Sequence, residues 1–278
     1  MGKKLNIKIS AFILPSLAGF LLFYIIPVAF SMKYALTDKP VNGQFIGLEN
    51  FRNILNSEPF LLAVKNTLKF IVVSLPLNMV VPLLLGLLLE KLDNRRWLTT
   101  IFMSPLVIPS ASIAFLFQSF FSSNGLISNI TGENVNWIQT NASFVIATLI
   151  YIWKNMGYNL VLYLSGLADI PPDYYEWASM EGMGKLQFFF QIKLRCLAPT
   201  LFIVFVMSFI NSFKVYRELY MLAGNYPNSN IYMLQHYMSN QFNRLSYQNL
   251  TAASFLMTGV ISIAVILFFV ADRNMNPD

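Results

Sequence analysis

Apolar runs of about 20 residues or more recur along the whole chain, and no other feature limits its fold as much. They lie near 9–31, 66–89, 99–121, 142–165, 196–220 and 247–270. At about 1.5 Å of rise per residue, each is long enough as a helix to cross a hydrocarbon core of about 30 Å. A soluble fold of 278 residues buries one core and has no place to hide six such runs. Composition agrees: 56% of residues are hydrophobic and only 12% charged, against roughly 25% charged in soluble domains. A helix of that length satisfies its own backbone groups in lipid, so the expected fold is all-α. The reading is a polytopic membrane protein with six transmembrane helices, a single domain over residues 1–278, and soluble enzymes are excluded.

The net charge of +6 comes from basic residues in the short gaps between apolar runs. That placement suits anionic lipid headgroups as partners, not nucleic acid. One cysteine, Cys196, and one histidine, His236, cannot build a disulfide framework or a Cys/His metal site. Lys3, Lys4 and Lys8 precede the first run, which exceeds a signal peptide's apolar length and has no A-x-A site after it; it reads as an uncleaved span. Lys91, Arg95 and Arg96 crowd one short loop, and Lys185, Lys193, Arg195 and Arg273 fall on the same side, whereas 120–140 contains no Lys or Arg. The total bias is weak, but this density places both termini in the cytoplasm. Pro15, Pro27, Pro76, Pro82, Pro105, Pro109 and Gly166 within the runs read as helix kinks or as hinges.

The most informative segment lies between the fourth and fifth runs and reads Ala168-Asp169-Ile170-Pro171-Pro172-Asp173-Tyr174-Tyr175-Glu176-Trp177-Ala178-Ser179-Met180-Glu181-Gly182-Met183-Gly184-Lys185. Pro171-Pro172 stops one helix, Asp173 with Glu176 has the spacing of a capping box for a short new one, and Gly182 is placed to end it. A second amphipathic helix is expected from near Gly184, with Leu186, Phe189, Phe190 and Lys193 at helical spacing before Pro199. A two-turn helix held in water is poorly stable alone, so it is expected to dock on something.

This segment resembles the EAA loop of binding-protein-dependent ABC importer permeases, through Glu176, Ala178, Gly182, Ile192, Leu194 and the later Pro199. Trp177 stands where that family usually has its first alanine, and Arg195 replaces the usual proline after the leucine. The resemblance extends to Phe45-Ile46-Gly47-Leu48-Glu49-Asn50-Phe51, Lys65-Asn66-Thr67, Trp153-Lys154-Asn155-Met156-Gly157-Tyr158-Asn159 and Ser212-Phe213-Lys214-Val215. It covers most of the chain and is similar to the carbohydrate-uptake branch, the maltose and multiple-sugar type, as the first permease of a pair.

That resemblance implies a bacterial cell-membrane subunit that pairs with a second permease, two ATP-binding subunits and an extracytoplasmic solute-binding protein. The loop 169–199 would couple them, with Asp173, Tyr175, Glu176, Ala178, Met180, Glu181 and Gly182 meeting an ATPase; otherwise its glutamates form a solvated acidic face. ATP and Mg would belong to that ATPase. Gly182-Met183-Gly184-Lys185 is no phosphate loop, because Ser179 occupies the first glycine position and Leu186 the Ser/Thr position. Nothing in the sequence groups residues for catalysis or for a metal. Polar residues inside the runs are the candidates for a sugar path: Lys154, Asn155, Tyr158, Asn159, Asn211 and Lys214. Each asparagine could instead bond helix to helix, and Lys154 could snorkel or pair with an acid. The competing readings are an ATP-independent secondary transporter or channel for a small polar solute, and a lipid-modifying transferase. The first predicts internal repeats and acids buried in the spans; the second predicts a catalytic cluster at one membrane face.

Overall fold

Helices form throughout the computed structural model, which describes residues 13–92 and 96–275, with backbone alone at 269 and 271–275. Lys3, Lys4, Lys8, Arg95, the start of the first run and the side chain of Arg273 lie outside the described residues. No strand forms among the described residues; Thr37 and Phe45 make an isolated bridge. Four helices there are long and apolar enough to cross a membrane, and a fifth if one bent pair counts as a single span.

The chain divides into two compact units, Met1–Leu61 with Tyr237–Ala271, and Leu62–His236 with Asp272–Asp278. In the first, α1 (Ile13–Ala35) exposes nearly all its large apolar side chains, as a helix solvated by lipid does. Its one irregularity is a π turn at Leu21–Ile25. Pro27 follows two residues on and has no N–H to give, and the Ile26 N–H reaches back to the Leu21 carbonyl. After α1 the chain turns through Gly47, at φ +61°, into α2 (Glu49–Leu55). Buried Asn50 donates to the carbonyls of Ala35 and Thr37, both at 2.9 Å, and so fastens the start of α2 to the end of α1.

α3 (Glu58–Leu89) carries Pro76 and Pro82 yet stays continuous. The expected third span does not: α4 (Arg96–Val107) and α5 (Ser110–Phe121) are separated at Ile108-Pro109, and the pair, followed on to Thr131, bends by 100°. Pro105 and Pro109 lie one turn apart, so two successive backbone bonds on one side of the helix are missing, and the backbone leaves the α region at Pro109, at φ −59° and ψ 144°. α6 (Leu126–Thr131) then ends at Gly132, in the left-handed region at φ +72°.

α7 (Ser143–Ala168) is the axis of the second unit. Ile146, Ala147, Ile150 and Tyr151 pack against Phe70 of α3, Ile113 and Phe117 of α5, and Leu219 of α11 (Tyr216–Ala223). Further along, Tyr163 and Leu167 meet Leu83 of α3 and Val204 of α10 (Ala198–Lys214). α4 crosses α7 at Gly157, where a Cβ would stand 2.6 Å from the Met103 Cα. Glycine is what allows backbones to approach so closely. α7 matches the fourth expected span and at 26 residues is long enough, but it is not among the helices apolar enough to cross on composition. It faces other helices, so its surface need not be oily. The segment after α11 is pinned by the pair Asn66-Thr67: Asn66 donates to the Ser229 and Tyr232 carbonyls at 2.5 and 3.0 Å, and Thr67 Oγ1 accepts from the Leu234 N–H at 2.9 Å. α12 (Leu234–Asn243) and α13 (Tyr247–Met275) are the last helices of the described residues.

Candidate functional site

Two groups of residues in the second unit carry the polar chemistry. The first surrounds a cavity of about 120 Å³ among α4, α7, α10 and α11, lined by Leu106, Ile150, Tyr151, Lys154, Asn155, Asn211, Lys214, Val215, Arg217 and Glu218. Asn211, Lys214, Val215 and Glu218 follow a spacing of i, i+3, i+4, i+7 and so share one helical face. Lys154 makes an ion pair with Glu218, and Ser110 Oγ donates to the same carboxylate oxygen at 2.6 Å. Glu218 is 2% exposed and Lys154 25%, so the pair is buried at its acidic end and open at its basic end. Asn211 donates to Asn155 Oδ1 at 3.0 Å across the cavity wall.

Of the six expected path residues, four (Lys154, Asn155, Asn211 and Lys214) line this cavity. Asn159 does not. It is fully buried and donates to the Asn78 carbonyl at 2.9 Å and to Ser208 Oγ at 3.1 Å. Asn78 in turn donates to Ser208 Oγ at 2.9 Å, and the Tyr151 hydroxyl donates to the Ser208 carbonyl at 2.6 Å. This network staples α3, α7 and α10 together, which is the helix-to-helix role. Tyr158 is half-buried and also lies off the cavity. Tyr151, Arg217 and Glu218 were not among the expected residues; the helical spacing running on from Asn211 and Lys214 is the signal that would have reached Glu218.

The second group is the loop after α7. α8 (Pro172–Met180) begins with proline in its first turn and Pro171 as its cap, and no side chain caps it. The expected capping box of Asp173 and Glu176 is therefore not formed; Asp173 is already inside the helix, where its charge favours the helix N-terminus. The other end is as expected. Gly182 lies at φ +66°, the Met183 N–H bonds the Ala178 carbonyl at 2.9 Å, and the Gly182 N–H bonds that of Ser179 at 3.2 Å. This is the paired closure that needs a left-handed residue after a helix. Ala178 is buried; Asp173, Tyr175, Glu176, Met180 and Glu181 are exposed, as are Tyr174 and Trp177. The second helix, α9, runs as Lys185–Phe188, a π segment Phe189–Lys193 and Leu194–Cys196, end to end.

One carboxylate binds this loop to the membrane helices. Glu90, just past α3, accepts from the Tyr175 hydroxyl at 2.8 Å and from Lys193 Nζ at 2.6 and 2.9 Å. Tyr175 packs on Phe188, with ring centres 5.0 Å apart, and Lys193 lies 5.2 Å above the Tyr175 ring. Partial burial against the neighbouring side chains first, and then the Glu90 carboxylate, push the Tyr175 phenol well above its ordinary range. It stays protonated and remains a donor. Sequence alone did not single out Glu90 or Lys193 as partners of α8. Among the described residues no group of His, Cys, Asp and Glu could hold a metal.

Several helices long and apolar enough to cross a membrane, with a polar cavity among helices of the second unit, define a multi-pass membrane protein. The chain belongs to the family of binding-protein-dependent transport system inner membrane components, whose sequence profile matches residues 82–277. It is similar to the trehalose/maltose transport system permease protein MalF of Thermococcus litoralis, 30% identical over 77% of this chain and 76% of that protein. It is also similar to the Probable ABC transporter permease protein YesP of Bacillus subtilis, 26% identical over 96% of this chain and 91% of that protein. Its fold matches a chain in the crystal structure of a bacterial alginate ABC transporter in complex with alginate pentasaccharide-bound periplasmic protein, with TM-score 0.85, 24% identity, and coverage of 99% of this chain and 96% of that one. The family is one of transport components, and the chain is a permease rather than an enzyme.

Proposed function

We propose that the chain is one of two permease subunits of an ATP-driven importer that takes up a carbohydrate handed over by an extracytoplasmic binding protein. α8 is its coupling helix. The observation that carries this reading is the way α8 is built and held: it offers Tyr174, Trp177 and Met180 to water, and among the described residues its side-chain hydrogen bond is that of Tyr175 to Glu90 at the end of α3. Exposed aromatic and methionine side chains on a short capped helix suit a groove on a partner. Asp173, Glu176 and Glu181 rim that face for basic groups of an ATPase, while Ala178 and Gly182 fix its shape. A push on α8 reaches the membrane through Glu90 and Lys193 as a rigid-body displacement. ATP and its Mg stay with the ATPase subunits.

The substrate reading rests on the relatives named for sugar transport and on the cavity. At about 120 Å³ it is smaller than the roughly 300–1,000 Å³ of complete small-molecule pockets, so a second permease supplies the other wall. Asn155, Asn211, Lys154 and Lys214 are the path residues; the six spans are α1, α3, α4 with α5, α7, α10 with α11, and α13, with both termini in the cytoplasm. Affinity purification of the C-terminally tagged chain in mild detergent, followed by mass spectrometry, tests the assembly. A second six-span permease and an ATPase should co-purify. Recovery of this chain alone from several detergents overturns the proposal in favour of an ATP-independent transporter.

A further inference from the structure

The cavity among α4, α7, α10 and α11 carries more positive charge than its own fold uses. Glu218, the acid in its lining, is already engaged by Lys154 and Ser110. Lys214 and Arg217 face the same cavity, are exposed, and make no hydrogen bond or ion pair among the described residues. Water satisfies them while the cavity is open. Alternating access requires the cavity to close around its cargo, and closure strips that water from two cations. A neutral sugar supplies only hydroxyl dipoles against this penalty, whereas a carboxylate supplies charge-assisted hydrogen bonds to both, bidentate at arginine. The amide of Asn211, on the same wall, has an oxygen and a second N–H to offer a hydroxyl beyond its bond to Asn155. We infer that this cavity is a subsite for a carboxylated sugar, such as a uronate unit of an oligosaccharide, with Lys214 and Arg217 holding the carboxylate and Asn211 a neighbouring hydroxyl. This rests on the importer reading above and narrows its substrate class.

The test deletes the chain in its host and measures uptake of labelled oligosaccharides in matched pairs that differ only in oxidation at C6: galacturonate with galactose, glucuronate with glucose, mannuronate with mannose. Uptake of an acidic member should be lost and restored by the wild-type chain. With Lys214→Gln or Arg217→Gln, the KM for that sugar should rise about tenfold or more, because a hydrogen bond to a charge is removed, while the permease pair and ATPase still co-purify. Loss confined to a neutral member overturns the inference and leaves carbohydrate import standing. No loss for any sugar overturns both. An unchanged KM in both variants, or variants that drop out of the complex, assigns the two cations to something other than the sugar, the second case being a bond between permeases.

Discussion

Lys154→Met isolates the buried carboxylate of Glu218, which is 2% exposed. With the lysine gone, Ser110 Oγ at 2.6 Å is the bond that remains to it. Removing one partner of a buried ion pair costs about 3–5 kcal/mol, because the charge left behind is neither solvated nor matched. For a protein of this size each kcal/mol moves the melting temperature by roughly 2–4 °C, so the variant should melt roughly 6–20 °C lower. Glu218→Gln should do less, since Lys154 is 25% exposed and its ammonium can reach water along its flexible stem. The double variant Lys154→Met with Glu218→Gln should recover most of the loss, because it buries no charge. The assay is the thermal profile of the detergent-solubilised complex followed by size-exclusion fluorescence, all four proteins side by side. A Lys154→Met protein that melts with wild type, or a double variant in which the two single losses simply add, refutes the reasoning.

Other outcomes follow from single contacts. Tyr175→Phe removes one donor to Glu90 and Glu90→Gln weakens both; each should leave the permease inserted and assembled but lower transport per ATP hydrolysed, and an unchanged transport-to-ATP ratio in Glu90→Gln sinks the proposed link. His236 sits outside the spans, and its burial lowers it from 6.5 to about 4. The folded protein therefore keeps it neutral where the unfolded chain protonates it. Its contribution is whole above pH 6.5 and is lost as pH falls to about 4, by at most roughly 3 kcal/mol. His236→Gln keeps an acceptor for the Met233 N–H, which now bonds His236 Nδ1 at 3.1 Å. Its melting temperature should fall less steeply over that pH range, and equal slopes would remove His236 as the cause.

The loop 169–199 was legible because its signals are local. Pro171-Pro172 and Gly182 act through their own backbone, and the predicted stop at Gly182 is realised as a left-handed residue with both closing bonds. The capping box failed because Pro172 itself opens the helix with Pro171 as its cap, which leaves Asp173 two positions too far in. The bend at Ile108-Pro109 was not legible: Pro76 and Pro82 sit in an unbroken α3, and only the one-turn spacing of Pro105 and Pro109 separates the two cases. Asn159 looked equivalent to Asn155, yet one is locked to Asn78 and Ser208 and the other lines the cavity. That difference depends on partners some 50 to 80 positions away, which no local pattern carries. Glu218 was overlooked although it lies one turn beyond Lys214 on the same face.

The central claim is that α8 transmits the work of an ATPase to the membrane helices. Its most direct test is ATP hydrolysis and substrate uptake in the same proteoliposomes, containing the whole complex and supplied with loaded binding protein, for wild type, Gly182→Pro and Glu176→Lys. Proline cannot adopt the left-handed φ of residue 182, and lysine reverses the charge on the proposed docking face. Both variants should insert and assemble, yet hydrolysis should no longer respond to loaded binding protein and uptake should fall to background. Normal stimulated hydrolysis with normal uptake in either variant would contradict the assignment of this loop.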